Sequence, residues 1–282
     1  MPKSTNISVT QKIAIQGYEG SFHQEAARHF FGKEVEVIPC DTFRKLITLA
    51  EDPRQSDGGV MAIENSIAGS ILANYNLLHK SKLKIAGEVF LQIRQQLMVN
   101  PGVKLQDVRE VHSHTMALQQ CYDFLNQHHF KLIDTEDTAL SAKLLKQHKS
   151  KHVAAVASKL AAKLYGLDII APNIQSSKNN YTRFLLLQRN EVLDTAANKA
   201  SIYFKTNHKQ GSLVKVLNLI ADAGINLSKL QSFPIPGSEF KYSFHADMEF
   251  KSLDVFYKGM EQIQKKTEEV RVYGIYKKGL WK

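Results

Sequence analysis

The stretch Asn179-Asn180-Tyr181-Thr182-Arg183-Phe184 sets two amides, a hydroxyl and a guanidinium directly ahead of an apolar run, Phe184 to Leu187. A strand that only crosses a core has no use for Thr182 and Arg183 at its mouth. Their types suit an anion: a hydroxyl can share a proton, and a planar guanidinium fork matches a carboxylate. Other junctions have the same character. Ala62 to Ser70 places Glu64, Asn65 and Ser66 where an apolar run ends, the position at which open α/β sheets bind ligands. Asn65 and Ser66 equally suit the satisfying of turn amides. Val111 to Cys121 reads as strand, Ser113-His114, then helix, with Gln120 and Cys121 about two turns into it. Asp134 to Ala142 puts Glu136 and Asp137 at a helix start, where carboxylates commonly answer the helix dipole. Gly17 to Phe22 joins two turn glycines to Ser21, a residue that can cap a helix whose free amides attract anions.

Several chemistries find no support in the spacing. His112 with His114, and His128 with His129, sit in no HExxH and no Cys/His grid, so no metal site is expected. There is no P-loop, no GxSxG nucleophile and no GxGxxG with a ribose-binding acid. What remains is hydroxyls, amides and one arginine facing a cleft, a set suited to binding a polar anion with acid catalysis and without a cofactor. Two cysteines, Cys40 and Cys121, lie far apart and fit a reducing compartment. The net charge of +10 arises from 37 Lys and Arg against 27 Asp and Glu. These cations are scattered without interleaved aromatics, so a solvated basic face is expected, with no nucleic-acid partner. No run reaches the roughly 18 apolar residues of a membrane span, and the polar first residues show no signal-peptide core. A cytoplasmic protein with no membrane partner is the expectation.

The elements that must position these residues alternate. From residue 12 to 190, short β-branched runs (KIAIQ, EVEVIP, GGVMAIE, VREVHSH, FKLIDT, HVAAVA) take turns with helical patterns. The patterns at SFHQEAARHFFG, TFRKLITLAED, GSILANYNLLHK, HTMALQQCYDFLNQH, EDTALSAKLLKQH and SKLAAKLYGL predict helices. This is an α/β pattern with mostly parallel strands. A polar break at 191–199 reads as a linker. The remainder, about 200–282, follows the order β-α-β-β-α-β of a split βαβ module, with Gly224 stopping its first helix.

In this order, GYEGSF, AIENSIAGS, SHTMALQQC, DTALSA and NNYTRF followed by that module resemble prephenate dehydratase with a C-terminal ACT domain. The resemblance implies a bilobal catalytic domain like type 2 periplasmic binding proteins over 11–190. Its lobes would be 11–92 plus 173–190, and 93–172, joined through the 191–199 linker to an α+β ferredoxin-like ACT domain at 200–282. It implies decarboxylating dehydration of prephenate to phenylpyruvate in phenylalanine biosynthesis, feedback by phenylalanine, a homodimer or homotetramer, and no cofactor. Thr182 matches the proposed proton donor, Arg183 a clamp or brace, and Phe184 a dry wall. Asn65, Ser66, Ser113, Gln120 and Ser21 match cleft positions. Glu64 is either structural or itself the proton source, and Glu136 is a weaker candidate of that kind. Gly211, Ser212 and Leu213 match the first regulatory motif, and Asn226 and Leu227 offer backbone amides to an effector. Two departures stand out: Tyr18 and His23 replace a proline and a small hydroxyl residue. Gln231-Ser232-Phe233-Pro234 stands where Glu-Ser-Arg-Pro is usual, which leaves open weaker phenylalanine binding or a different effector. The alternatives are arogenate dehydratase and a non-catalytic amino-acid-binding regulator.

Overall fold

The computed structural model describes residues 11–281 apart from Leu193, Pro236, Glu239 and Phe240. They form two compact units: 11–82 with Val89–Leu186 and Trp281, and Leu83–Glu88 with Leu187–Leu280.

Along the first unit run β1 (Lys12–Gln16), α1 (Phe22–Phe31), β2 (Glu36–Cys40), α2 (Phe43–Glu51), β3 (Gly58–Asn65) and β4 (Gly69–Ser70). Then come α3 (Leu72–Lys80), β5 (Lys84–Gln92), β6 (Gln96–Val99), β7 (Glu110–Ser113), α4 (Thr115–Gln120) and α5 (Tyr122–Leu125). The series ends with β8 (Lys131–Asp134), α6 (Thr138–His148), β9 (Val153–Ala157), α7 (Lys159–Tyr165), β10 (Asp168–Ala171) and β11 (Tyr181–Gln188), the first residues of β5 and the last two of β11 belonging to the second unit. One sheet has the order β2-β1-β3-β11-β5, with β4 folded back on β3, and the other has the order β10-β6-β9-β7-β8. Around β1 and β7 the pairing is parallel, whereas β6 runs antiparallel to both β9 and β10. Each lobe is thus an open sheet flanked by helices, and the chain crosses between the sheets after β5 and again before β11.

Local sequence explains the helix starts. The oxygens of Ser21, Thr42, Asp137 and Ser158 each accept a backbone amide from the first turn of the helix that follows. Three expectations are corrected. Gly69-Ser70 does not open a helix but pairs with Glu64 and Asn65 as β4, and the helix begins at Leu72. The cause is Asn65, whose side-chain oxygen gathers the Ile67 and Ala68 amides into a turn completed by Gly69 at φ +82°. The helix expected over 114–128 breaks at Cys121, which leaves helical geometry at φ −106°, ψ 9° between α4 and α5. Lys199, read as linker, already belongs to a strand.

Strand β3 outruns β1, since their pairing stops at Ile15 with Val60. The Ala62 amide and carbonyl beyond that point still need partners. His23 Nε2 accepts the amide at 3.3 Å, and Asn74 Nδ2 donates to the carbonyl at 2.7 Å.

The loop between β1 and α1 rests on helices of the other lobe. Ser158 Oγ donates to the Gly20 carbonyl at 2.6 Å, Tyr165 OH to the Glu19 carbonyl at 2.8 Å, and Tyr18 OH to Glu136 Oε1 at 2.8 Å. Glycine is required here: at Gly20, with φ +90°, a Cβ would lie 2.8 Å from the Ala161 Cα.

The second unit contains β12 (Lys199–Lys205), α8 (Ser212–Asp222), β13 (Asn226–Pro234), β14 (Tyr242–Glu249), α9 (Leu253–Gln264) and β15 (Glu269–Tyr276). The antiparallel sheet order β13-β14-β12-β15 is that of a ferredoxin-like fold. Alternation along β12 sends Ala200, Ile202 and Phe204 into a core with Val216, Ile220, Phe256 and Ile263 of the two helices. The intervening residues meet a buried polar chain. Lys199 Nζ lies 2.9 and 3.0 Å from the Glu88 carboxylate oxygens, and Ser201 Oγ bonds Asp247 Oδ1 at 2.5 Å and Tyr276 OH at 2.6 Å. Among the described residues no helix is long and apolar enough to cross a membrane.

Candidate active site

The polarity of the site can be worked out from one side chain. Asn65 Oδ1 accepts from the amides of Ile67 and Ala68, both at 2.9 Å. Backbone amides only donate, so this oxygen is assigned and the Asn65 amide nitrogen must point the other way. There Nδ2 meets Asn180 Oδ1 at 2.7 Å, Thr182 Oγ1 at 3.0 Å and the Tyr181 carbonyl at 3.2 Å. Asn180 is thereby oriented too, and its own Nδ2 donates to Gln120 Oε1 at 3.0 Å. Two consequences follow at the ends of this chain. Thr182 Oγ1 is an acceptor toward Asn65, so its proton points away from Asn65. Gln120 accepts through oxygen, so its NH₂ group points away from Asn180. An amide chain, with Asn180 completely buried at its centre, therefore ends in two donors that point away from it, on Thr182 and on Gln120. That is what an anion, or an oxygen gathering negative charge, needs.

Other sequence candidates are placed differently. Ser66 Oγ donates to the Asn179 carbonyl at 3.1 Å and accepts the Tyr181 amide at 2.9 Å, so this hydroxyl fastens the head of β11. Ser113 is fully buried and donates to the Val156 carbonyl at 2.6 Å, so the structure does not offer it to a ligand. Alternation in β7 turns it onto the neighbouring strand. Ser21 is the α1 cap, 3.4 Å from the Gln24 amide. Glu64 is half-buried at the end of β3, opposite Ser70 in the β4 hairpin. Phe184 is buried on the same face of β11 as Thr182, with its ring 5.0 Å from that of His23. Arg183, one residue off, leaves by the opposite face, and its guanidinium lies 5.9 Å from the Phe90 ring centroid. Asn180 was missed as a site residue. Its only sequence signal was its place in the polar cluster before β11.

Burial drives His23 down to about 3, so it is a neutral core residue between Phe43 and Phe184 whose Nε2 serves Ala62. The hydrogen bond to the Glu136 carboxylate, then burial, push Tyr18 up to about 12, which keeps it a donor. Burial raises Asp137, against the opposing effect of the Leu140 and Ala139 amides. Among the described residues no group of three or more His, Cys, Asp and Glu is placed to hold a metal.

In the second unit, Gly211, Ser212 and Leu213 line a cavity of 260 Å³ with Asn207, Tyr242 and Phe244. Gly211 takes φ +76° as the cap of α8, and the Ser212 hydroxyl donates to Asn207 Oδ1. Asn226 and Leu227, at the start of β13, are not among the residues lining it.

A family model described as prephenate dehydratase matches residues 13–192. The bifunctional chorismate mutase/prephenate dehydratase of Aquifex aeolicus is 34% identical over 272 residues, covering 95% of this chain and 74% of that protein. Arogenate dehydratase/prephenate dehydratase 1 of Arabidopsis thaliana is 36% identical over 282 residues, covering 94% and 71% respectively. Among solved structures, GqqA, described as a novel type of quorum quenching acylase, is similar with a TM-score of 0.86 and 29% identity, over 95% of this chain and 98% of that one. With two open-sheet lobes and a βαββαβ unit, as the resemblance implied, the chain belongs to the prephenate dehydratase family, lyases of aromatic amino acid biosynthesis carrying an ACT-type unit.

Proposed function

We propose that the chain converts prephenate to phenylpyruvate, with 11–190 as the catalytic part, 191–199 as the linker and 200–282 as the regulatory part. The observation that carries this is the 3.0 Å bond from Asn65 Nδ2 to Thr182 Oγ1, which leaves the Thr182 proton free to point away from Asn65. In the reaction the bond between the ring and its carboxylate breaks and its electron pair enters the ring. The ring hydroxyl leaves as water, taking the added proton from solvent, and the carboxylate leaves as carbon dioxide. Aromaticity makes the sum downhill, so the barrier lies in expelling hydroxide. A threonine hydroxyl is too weak an acid to give up its proton at neutral pH. Thr182 therefore acts by a hydrogen bond that strengthens as the departing oxygen gathers charge. Gln120 Nε2 holds a carboxylate or carbonyl oxygen of the substrate. Arg183 braces β11 against Phe90 rather than touching substrate. The net charge of +10 favours approach of the dianion.

The test is product formation from prephenate and arogenate side by side. Phenylpyruvate from prephenate at the higher kcat/KM supports the reading. A preference for arogenate moves the assignment to arogenate dehydratase, and turnover of neither overturns it. An acyl-hydrolysis control belongs in the same series because of the likeness to the acylase.

The ACT unit, in this reading, binds phenylalanine in the cavity around Gly211 to Leu213, with the amides at the α8 start receiving its carboxylate. The chain works as a homodimer or homotetramer. Titrating phenylalanine against activity and sedimentation coefficient checks both. No response of either up to millimolar concentration removes phenylalanine as effector.

A further inference from the structure

The last described residue, Trp281, lies far from the motifs in sequence and is the only tryptophan in the chain. It makes an isolated parallel bridge with Phe90 of β5. The indole stacks on the Phe90 ring at 4.5 Å between centroids and 15° between planes. It also meets the Tyr181 ring edge-on, at 4.9 Å and 82°. Tyr181 opens β11 and directly precedes Thr182. Its backbone is already committed to Ser66, which donates through its amide to the Tyr181 carbonyl at 2.8 Å and accepts the Tyr181 amide at 2.9 Å. The aromatic ring is the remaining handle on this residue, and Trp281 holds it. Phe90 meets the Arg183 guanidinium as well, so one ring contacts the residues before and after Thr182 indirectly and directly. The stack is not a product of burial, for Trp281 is 59% exposed. The tail just ahead is also built for close approach: Gly279 donates its amide to Glu88 Oε1 at 3.1 Å, and a Cβ there would lie 2.3 Å from the Glu88 carbonyl oxygen.

We propose that Trp281 is a positioning residue for the reaction: by clamping Tyr181 against Phe90 it sets the pitch of the β11 head, and so the direction of the Thr182 hydroxyl. The inference rests on the reading of Thr182 as the group that meets the leaving oxygen. Gln120 stands on α4 rather than in the β11 head, and the charge field does not depend on Tyr181, so the effect falls on kcat more than on KM.

The experiment uses the full chain with Trp281→Ala and Trp281→Phe. The alanine variant should lose about tenfold in kcat with KM within about twofold, and the phenylalanine variant should keep most of the activity because it can still stack. Hydrogen exchange over 179–184 should quicken in the alanine variant. Wild-type kcat in Trp281→Ala overturns the proposal, as does unchanged exchange, or equal damage in Trp281→Phe. A second readout needs no turnover: Phe90→Leu should shift the single indole emission to longer wavelength, and an unmoved spectrum overturns the stack. If the wild type processes neither prephenate nor arogenate, the functional reading falls. The exchange and emission arms still decide whether Trp281 holds the strand head.

Discussion

Replacing Asn65 by aspartate tests the polarity of the amide wire with one atom. The retained oxygen still accepts the Ile67 and Ala68 amides at 2.9 Å, so the turn before β4 should survive. The other atom changes from donor to acceptor while facing Asn180 Oδ1 at 2.7 Å and Thr182 Oγ1 at 3.0 Å. Left unrelaxed, each orphaned acceptor would cost about 1–3 kcal/mol. The wire can relax by reversing. Asn180 turns its amide group over and donates to the introduced carboxylate, Gln120 then donates to Asn180, and Thr182 turns its proton inward. The Tyr181 carbonyl, 3.2 Å from the exchanged atom, loses that donor and keeps the Ser66 amide at 2.8 Å, so the loss of stability should stay within about 1–3 kcal/mol. The ends of the wire, however, now present oxygen lone pairs where they presented two donors. Loss of one organised donor to a developing oxyanion costs about 10²- to 10³-fold. Two losses, plus a new carboxylate near an anionic substrate, predict a fall in kcat/KM of at least about 10³-fold, or about 4 kcal/mol. Asn180→Asp is the graded partner. It still accepts from Asn65, so Thr182 is untouched, and only Gln120 must turn. Its loss should be near about 10²-fold. Steady-state kinetics with thermal melts measures both. Asn65→Asp within tenfold of wild type, or Asn180→Asp as damaging as Asn65→Asp in a folded protein, would refute the directional wire.

Three further outcomes follow from buried and edge groups. His23 titrates at about 3 when folded and near 6.5 when unfolded, so the unfolded chain takes the proton first as pH falls. Stability is therefore complete above about pH 6.5 and declines from there toward pH 3, by about 1.4 kcal/mol per unit. Urea melts at pH 7 and pH 5 should show this loss in wild type and not in His23→Gln; equal losses would sink the assignment. Lys199 and Glu88 form an ion pair with side chains 4% and 0% exposed, so Lys199→Met should destabilise by about 3–5 kcal/mol. Adding Glu88→Gln should recover much of that, and a double variant no better than the single would contradict the pair as the cause. Tyr18→Phe removes an exposed bond to Glu136 from a loop that Ser158 and Tyr165 still hold, so the melting temperature should stay put while KM rises about two- to fivefold. An unchanged KM would mean that this bond does not order the loop.

The fold was legible because its elements announce themselves locally. Ser21, Thr42, Asp137 and Ser158 each stand one residue before a helix, and alternation in KASIYFK already separates a core face from a polar one. What failed was also local but depended on side chains reaching back to the main chain. Asn65 turned Gly69-Ser70 into a hairpin strand, a use of asparagine that a helical hydrophobic pattern overrides on paper. For the site, residue type identified the right junctions without giving directions. Ser66 and Ser113 look as available in sequence as Thr182. Only the register of β7 and β11 shows that their hydroxyls are taken by Val156, Asn179 and Tyr181. Arg183 looked like the partner of Thr182 by adjacency, and it is adjacency in a strand that sends it to the other face. Trp281 had no signal, because its partners lie 100 and 191 residues away in the chain.

The two sides at which the lobes meet are held by different chemistry. At the β1–α1 loop, the Tyr18–Glu136 and Tyr165–Glu19 bonds are exposed, so water can replace each at a cost of about 0–1 kcal/mol. Ser158 and Gly20 supply the one buried bond there. At the other side Asn180 is fully buried, bonded to Asn65 and to Gln120, and its carbonyl accepts the Ile93 amide at 2.8 Å where the chain crosses between lobes. The Gln120 carbonyl accepts the Ser176 amide at 2.8 Å on the return crossing. Separating the lobes there would break several buried amide bonds at about 1–3 kcal/mol each. If the lobes part for substrate, the Tyr18 side is the cheaper one to open and Asn180 the natural pivot. A pivot placed there keeps the Asn65–Asn180–Gln120 wire intact through the motion. Under the proposed function, the donors on Thr182 and Gln120 would then stay aimed through such a motion, and closure would only have to bring the Tyr18 loop back onto Glu136. Donors held at the stationary side, with the moving side left to bonds that water can exchange, would avoid reorganising the site at each turnover.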